Sequence, residues 1–581
     1  MSQSDNWSAR LRQWLNRYHA KRAARAQAAT AFVSQPEPRT IGSFARGRQL
    51  LAGNFLFAGI LVEEKDASIW AIKAPDREYE GELHGFMWLD DLAAVGDPAA
   101  MKAAQDWLFE WIDTYGPGVG IGWTPDLTGR RLIRWINHAL FLLNGQPKER
   151  SEAYFRSLAQ QTIFLSRRWH AATPGLSRFE ALAGLIYAGL ALEGMASRVE
   201  PAIKALSNEC EREIDEQGGI ATRNPEELLE VFTLLNWAAS ALAEVGRSAD
   251  RAHLEAIERV APTLRALRHS DGSLARFHGG GRGIEGRLDY ALATSGVKAA
   301  AARGLSMGYV RLTGGRTSVI LDAASPPVVA ASHNAHASTC AFELTSGRRP
   351  LIVNCGSGNS FGSDWRRAGR ATASHTTLAI DGASSAKLSK SGLMNSGREV
   401  LVDSPRDVRV QYLTEDGENG VIVGHDGYRA ARGLTHIRQV SLSHNGRDLQ
   451  GEDTLAAIED SDQRSFDQFL TKANIDGIGF KLRFHLHPDV DAEIDLGGQA
   501  VSMSLKSREV WVFRYNGTAK LSLEPSVYLE KGRLKVRATK QIVLTSRATD
   551  YATRIRWSLA KAHETPDAVR DLAREDREMA S

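Results

Sequence analysis

A change of hydrophobic period near residue 305 divides this chain into two parts that no single bundle or sheet can accommodate. From residue 97 to about 270 the apolar residues recur at helical spacing. Asp97-Pro98 starts a helix that carries Trp107, Leu108 and Trp111 and ends at Gly116. Thr128 opens another, with Leu132, Trp135, Ile136, Leu140 and Leu143 before Gly145. Asn224, Pro225 and Glu227 supply an N-cap, a first-turn proline and a capping-box acid for a helix running to Gly246. Further helices are expected over 149–169, 178–193, 199–217 and 249–268, which gives seven helices with short connections.

After about residue 305 the period falls to two and β-branched residues accumulate, with hairpin turns expected at Gly314-Gly315, Asn445-Gly446 and Lys531-Gly532. Strands begin with Tyr309, Leu312, Val319 and Leu321, continue through Phe342–Leu344 and Leu351–Val353, and run to about residue 558. Roughly 250 residues of strand are too many for one flat sheet and fit stacked antiparallel sheets in a sandwich. The expected class is therefore α+β multidomain. A basic helix occupies 1–30, a helical domain 31–304 and a β domain 305–562, while the charged tail 563–581 reads as a short helix or frayed end.

Composition narrows the partners. With 43% hydrophobic residues and 18 prolines among 581, the chain fills more than one core and is neither disordered nor collagen-like. A net charge of +3 lacks the basic excess of a dedicated phosphate-backbone binder, so nucleic acid is not expected as a partner. No apolar run is long enough for a transmembrane span and no signal-peptide pattern opens the chain, so the expected location is cytoplasmic. Cys210, Cys340 and Cys355 are too few for a zinc ribbon or disulfide framework; Cys340 and Cys355 flank a turn near Gly347 and are read as buried free thiols. The first 30 residues hold six basic residues and one acid, with Trp7, Leu11, Trp14, Leu15 and Tyr18 at helical spacing. Such a helix either lies on an anionic membrane surface or, more usually, docks its aromatic stripe on its own domain.

A helical half followed by a large β half, with Ser332-His333-Asn334-Ala335-His336-Ala337-Ser338-Thr339-Cys340-Ala341-Phe342-Glu343-Leu344, resembles the heparinase II/III-like polysaccharide lyases. Leu351-Ile352-Val353-Asn354-Cys355-Gly356, Ser374-His375-Thr376-Thr377-Leu378 and Asp381-Gly382 follow at the spacing of that family. Weaker likenesses are His425-Asp426-Gly427-Tyr428, Gly451-Glu452-Asp453, Arg483–Pro488, Trp123 with Arg131–Ile136, and the stretch from Arg178 to Leu192. The resemblance implies an N-terminal (α/α) toroid followed by a C-terminal antiparallel β-sandwich, with the active site between them. It also implies β-elimination on uronic-acid glycans: a base removes the C5 proton, a neutraliser meets the carboxylate, and an acid protonates the leaving oxygen. In several members two histidines and an aspartate hold zinc in the sandwich.

Carried over residue by residue, His336 and His375 match the two zinc-binding histidines, and the acidic ligand falls on neutral Asn354. The family's histidine two places before His336 is Asn334, with His333 as its neighbour. The helical Asn-His pair falls near Leu176 and Ser177, and the tyrosine after Gly218-Gly219-Ile220 falls near Glu227. The expected catalytic candidates are accordingly His336, His375 and His333. Arg134, Asn137, Arg178, Trp365 and Arg370 are expected at the substrate, with Arg366 beside them, and zinc, if any, at His336 and His375. Asn137 is joined on its helix by Trp135 and His138, whereas Asp90-Asp91 reads better as a helix cap than as a hydrolase carboxylate pair. His425, Tyr428, His485 and His487 read as strand-end packing.

Three functions follow as expectations. The first is a polysaccharide lyase acting on an acidic polysaccharide or oligosaccharide. The second is a catalytically reduced glycan-binding or assembly protein on the same scaffold, and the third a toroid-type glycoside hydrolase. The resemblance also admits a periplasmic or envelope location, and a homo-oligomer stays open.

Overall fold

Side-chain caps set the helix boundaries of the first half. The computed structural model describes residues 3–25, 29–34, 37–65, 67–299, 304–389, 399–415 and 418–562; the charged tail from His563 lies outside them. Asp97 accepts from Ala100 N and starts Pro98–Tyr115, and Asn224 accepts from Glu226 N and Glu227 N and starts Pro225–Glu244. Lys148–Arg168, Leu176–Ala191, Val199–Glu213 and Arg251–Ala266 occupy the remaining expected helical stretches. The helix expected from Thr128 to Gly145 is corrected in two ways. It starts at Pro125, because the Thr128 hydroxyl bonds back to Thr124 O inside the first turn, and it breaks at His138 before a short helix Ala139–Leu143.

Leu176–Ala191 is the hub of this half, packed against Pro125–Asn137, Val199–Glu213 and Pro225–Glu244. Its crossing with Pro125–Asn137 is nearly backbone on backbone: a Cβ on Gly129 would stand 2.2 Å from Glu180 O, and one on Gly184 2.4 Å from Gly129 Cα. Trp88, Trp111, Trp123 and Trp135 are buried beside them, with the Arg131 guanidinium 4.1 Å from the Trp111 ring centre. Ahead of this core the chain adds short helices Phe44–Leu51, Arg77–Gly85 and Trp88–Val95 and a hairpin of Asn54–Phe57 with Ile60–Glu63.

From Tyr309 onward two antiparallel sheets stack face to face. One runs, in spatial order, Val408–Glu415, Glu418–Tyr428, Leu434–Ser443, Asp448–Ala456, Ala552–Lys561, Val510–Asn516, Ala500–Ser504, Asp491–Asp495. The other runs Lys520–Tyr528, Arg537–Ala548, Ile478–Leu486, Arg349–Val353, Phe342–Ser346, Thr317–Asp322, Tyr309–Gly314, with Leu378–Ile380 also paired to Ile478–Leu486. Alternating side chains such as Val421, Val423, Val440 and Leu442 meet Phe342, Leu344, Leu482 and Phe484 between the sheets. The helical core continues into the sandwich through Tyr309 and Ile320.

Cys210, Cys340 and Cys355 are all free and buried. Cys340 Sγ lies 3.6 Å from Val423 O, while Cys355 Sγ lies 3.5 Å from His485 Nδ1. The N-terminal helix Gln3–Ala23 packs on Lys148–Arg168, but not by the face expected from the usual outcome. Its buried residues are Asn16, Ala20 and Ala23, with Arg168 donating to Asn16 and Gln160 to Ala20 O; Trp7, Leu11, Trp14 and Tyr18 face outward. Small side chains let the two helix backbones approach, and indole rings at those positions would have held them apart.

Candidate functional site

His336 and His375 come from two loops that the same sheet holds together. His336 lies between strands Thr317–Asp322 and Phe342–Ser346; His375 ends the excursion that leaves strand Arg349–Val353 and returns at Leu378–Ile380. Arg370 closes the two loops on each other, donating to Ala335 O and Ser332 O at 2.8 Å each. The ring nitrogens His336 Nδ1 and His375 Nε2 are 3.0 Å apart, and His375 Nδ1 sits 2.8 Å from Ala371 O. Because a carbonyl can only accept, His375 carries its proton on Nδ1 and receives a hydrogen bond from His336 Nδ1. Both rings are sealed, at 2% and 1% exposure.

Around them the polar groups are also buried. His336 N donates to His278 Nδ1, and Asn354 Oδ1 accepts from Thr376 N at 2.9 Å, leaving Asn354 Nδ2 without a partner among the described residues. Burial holds His336 and His278 well below the usual histidine value, reinforced by the neighbouring imidazoles at His336 and by Arg223 and His375 at His278; burial lowers His375 to about 4. His485 stands nearby with Nδ1 2.8 Å from Ser526 Oγ and is lowered by burial to about 3.

The other expected residues are placed differently. His333 lies in the turn Val329–Asn334, where Arg366 Nη2 is 2.8 Å from its Nε2 and 3.2 Å from Asn334 Oδ1. Trp365 is partly exposed on the adjoining helix Ser363–Arg370, and Arg370 is buried as the loop clamp. Arg134 and Arg178 are spent inside the helical half: Arg134 pairs with Asp90 at 3.0 Å and Arg178 with Glu209 at 3.1 Å. Asn137 is buried with neither amide atom bonded among the described residues. Asp90 and Asp91 lie within the first turn of Trp88–Val95 rather than at its cap, Asp90 also bonding His138 and Asp91 accepting from Ser43 N. Burial presses Asp90 upward, and Arg134 and His138 outweigh it; Asp91 is raised by burial to about 6.

Sequence reasoning missed Arg223, one of the buried ties between the halves. It follows the Gly218-Gly219-Ile220 turn and reaches Asp322 Oδ1 at 2.6 Å, with further bonds to Met307 O, Gly308 O and Ser325 O. Beside it the helical half presents acids to the sandwich: Glu226 accepts from Lys531 Nζ at 3.1 Å, and Glu226, Glu230 and Glu82 all draw the Lys531 pKa upward.

Residues 296–558 match the heparinase II/III-like C-terminal domain. Over 537 residues, 90% of this chain and 89% of the relative, the sequence is 31% identical to FtsZ-localized protein C of Caulobacter vibrioides (strain NA1000 / CB15N). The chain belongs to the heparinase II/III-like family. Heparinase III has the same fold, at a TM-score of 0.68 and 14% identity over 94% of this chain and 89% of that one. Heparan sulfate lyase from Pedobacter heparinus shares it at a TM-score of 0.55 and 15% identity, over 94% and 87%. The toroid-plus-sandwich architecture is therefore that of polysaccharide lyases.

Within this heparinase II/III-like chain the zinc implied by the resemblance does not fit the residues present. The two imidazoles bond to each other, Asn354 has turned its oxygen to a backbone N–H, and the third position offers an amide donor instead of a carboxylate. Another trio, Cys340, His425 and His436, has ligand atoms within 4.8 Å of one another between the sheets. It is already closed by hydrogen bonds, from Gly427 N to His425, from His425 to His436 at 3.2 Å, and from His436 to Asp453 at 2.7 Å. Glu227, near which the resemblance puts the family's tyrosine, is raised by burial above the usual carboxylate value.

Proposed function

We propose that this chain is an assembly protein on a polysaccharide-lyase scaffold, with turnover of uronic-acid glycans lost or strongly reduced, and that it works alongside FtsZ in the cytoplasm. One observation carries this reading: the His336 and His375 imidazoles are sealed and spend their inner nitrogens on each other and on backbone, while half-buried His333 is engaged by Arg366. A base must reach within hydrogen-bond distance of the sugar C5 proton, and the two sealed rings have no exposed face to do so. Two further observations agree. Glu226 of the helical wall already takes up the sandwich cation Lys531 at 3.1 Å, a charge that a uronate carboxylate at this junction would need, and the relative with 31% identity is named for localisation with FtsZ.

The lyase reading keeps one support, the shared architecture with His336 and His375 at the family's positions. One pair of measurements separates the two. Incubation with heparan sulfate, chondroitin and alginate is expected to give no rise in ultraviolet absorbance from an unsaturated product, and a fluorescent fusion is expected to co-localise with FtsZ. Saturable product formation that His336→Ala abolishes would overturn the proposal.

A further inference from the structure

The outward stripe of the N-terminal helix is aimed directly away from the body of the protein. At about 100° per residue, Trp7, Leu11, Trp14 and Tyr18 fall within roughly 60° of arc, and the buried Asn16, Ala20 and Ala23 fall within a similar arc about 180° away. The four outward side chains are 69%, 43%, 60% and 47% exposed, and Trp14 and Tyr18 stack with ring centres 5.8 Å apart. They form an apolar line of about 16 Å on a helix fixed to the domain by its opposite face. Arg10, Arg17 and Lys21 border the line on one side and Arg22 on the other, all exposed and none ion-paired among the described residues. Exposed Arg167 on the neighbouring helix extends the positive border.

We propose that this face is a membrane-surface site that seats the protein on anionic phospholipid, with the helix lying in the plane of the interface. The chemistry is specific to that setting. Indole and phenol rings favour the boundary between headgroups and acyl chains, where the apolar ring is buried and the polar tip stays wet. Flanking arginine and lysine stems lie along the apolar surface while their charges meet lipid phosphates. No described helix is long and apolar enough to cross a bilayer, so the mode is peripheral. A protein groove that covered the line would have to match cations on both of its borders, whereas an anionic lipid surface supplies that charge everywhere.

The test uses the full-length protein and sedimentation with phosphatidylcholine vesicles, with and without phosphatidylglycerol. Binding is expected to be at least about tenfold stronger on the anionic vesicles and to fall as salt is raised. The double variant Trp7→Ser/Trp14→Ser, and separately Arg17→Glu/Lys21→Glu, should each lose about tenfold or more of it, with little change in thermal unfolding because these exposed side chains lie off the face that docks on the domain. Equal partition of wild type and stripe variants, or equal binding to both vesicle types, would overturn the proposal. So would a self-association that the stripe substitutions abolish while wild type ignores vesicles, since the stripe would then belong to a second copy of the chain.

Discussion

Burial holds His84 at about 3, His253 and His375 at about 4 and His485 at about 3, so all four are neutral in the folded protein at pH 7. Their unfolded value is near 6.5, so as pH falls the unfolded chain takes up protons first. The stability they confer is complete above about pH 6.5 and is lost as pH falls toward the folded values, at up to about 1.4 kcal/mol per pH unit for each histidine. Thermal melts across this range are expected to show a steep drop in Tm between about pH 6 and pH 4, and a flat profile would contradict the sealed, neutral state. A second outcome belongs to Asn354. Wild-type protein is expected to show no zinc-dependent rise in Tm, whereas Asn354→Asp supplies the missing carboxylate beside His336 and His375. That variant should gain about 2.7 kcal/mol at a hundredfold excess of zinc over its dissociation constant, read as a Tm shift reversed by chelator.

Helices meet most tightly where Gly129 and Gly184 leave no room for a methyl group. Gly184→Ala is expected to cost 3 kcal/mol or more, about the upper end of ordinary overpacking, because the obstacle is the Gly129 backbone, which cannot rotate away; urea unfolding measures it. Ala188→Gly on the same helix should cost only about 1 kcal/mol. Such crossings left no mark in the sequence beyond alanine and glycine content, whereas boundaries written in local chemistry did: Asp97-Pro98 and Asn224-Pro225 cap the helices expected of them. The short helices Phe44–Leu51, Arg77–Gly85 and Trp88–Val95 contain too few turns to show a period. The N-terminal helix was legible as amphipathic, yet its packed face was not, since Asn16 and Ala20 advertise no hydrophobicity. At the site, the likeness to the family's histidines is what paired His336 and His375, but Arg223 was invisible because its acceptors are mostly backbone carbonyls, which any sequence provides.

At the scale of the whole molecule, Arg223 makes the helical half and the sandwich answer to each other. Its bonds to Asp322 and Met307 O are buried, those to Gly308 O and Ser325 O partly so, and its guanidinium lies 4.7 Å over the Tyr309 ring. Arg223→Ala leaves Asp322 buried without its cation and is expected to cost about 3–5 kcal/mol, and calorimetry should show one transition becoming two. The three sealed thiols make the same event visible without an instrument for heat. Cys210 lies in the helical half and Cys340 and Cys355 in the sandwich, so a thiol reagent becomes a clock for the opening of each part. In the wild type the three should be alkylated at one common rate, set by the opening of the whole; once the tie is cut, the helical thiol and the sandwich thiols should keep separate time.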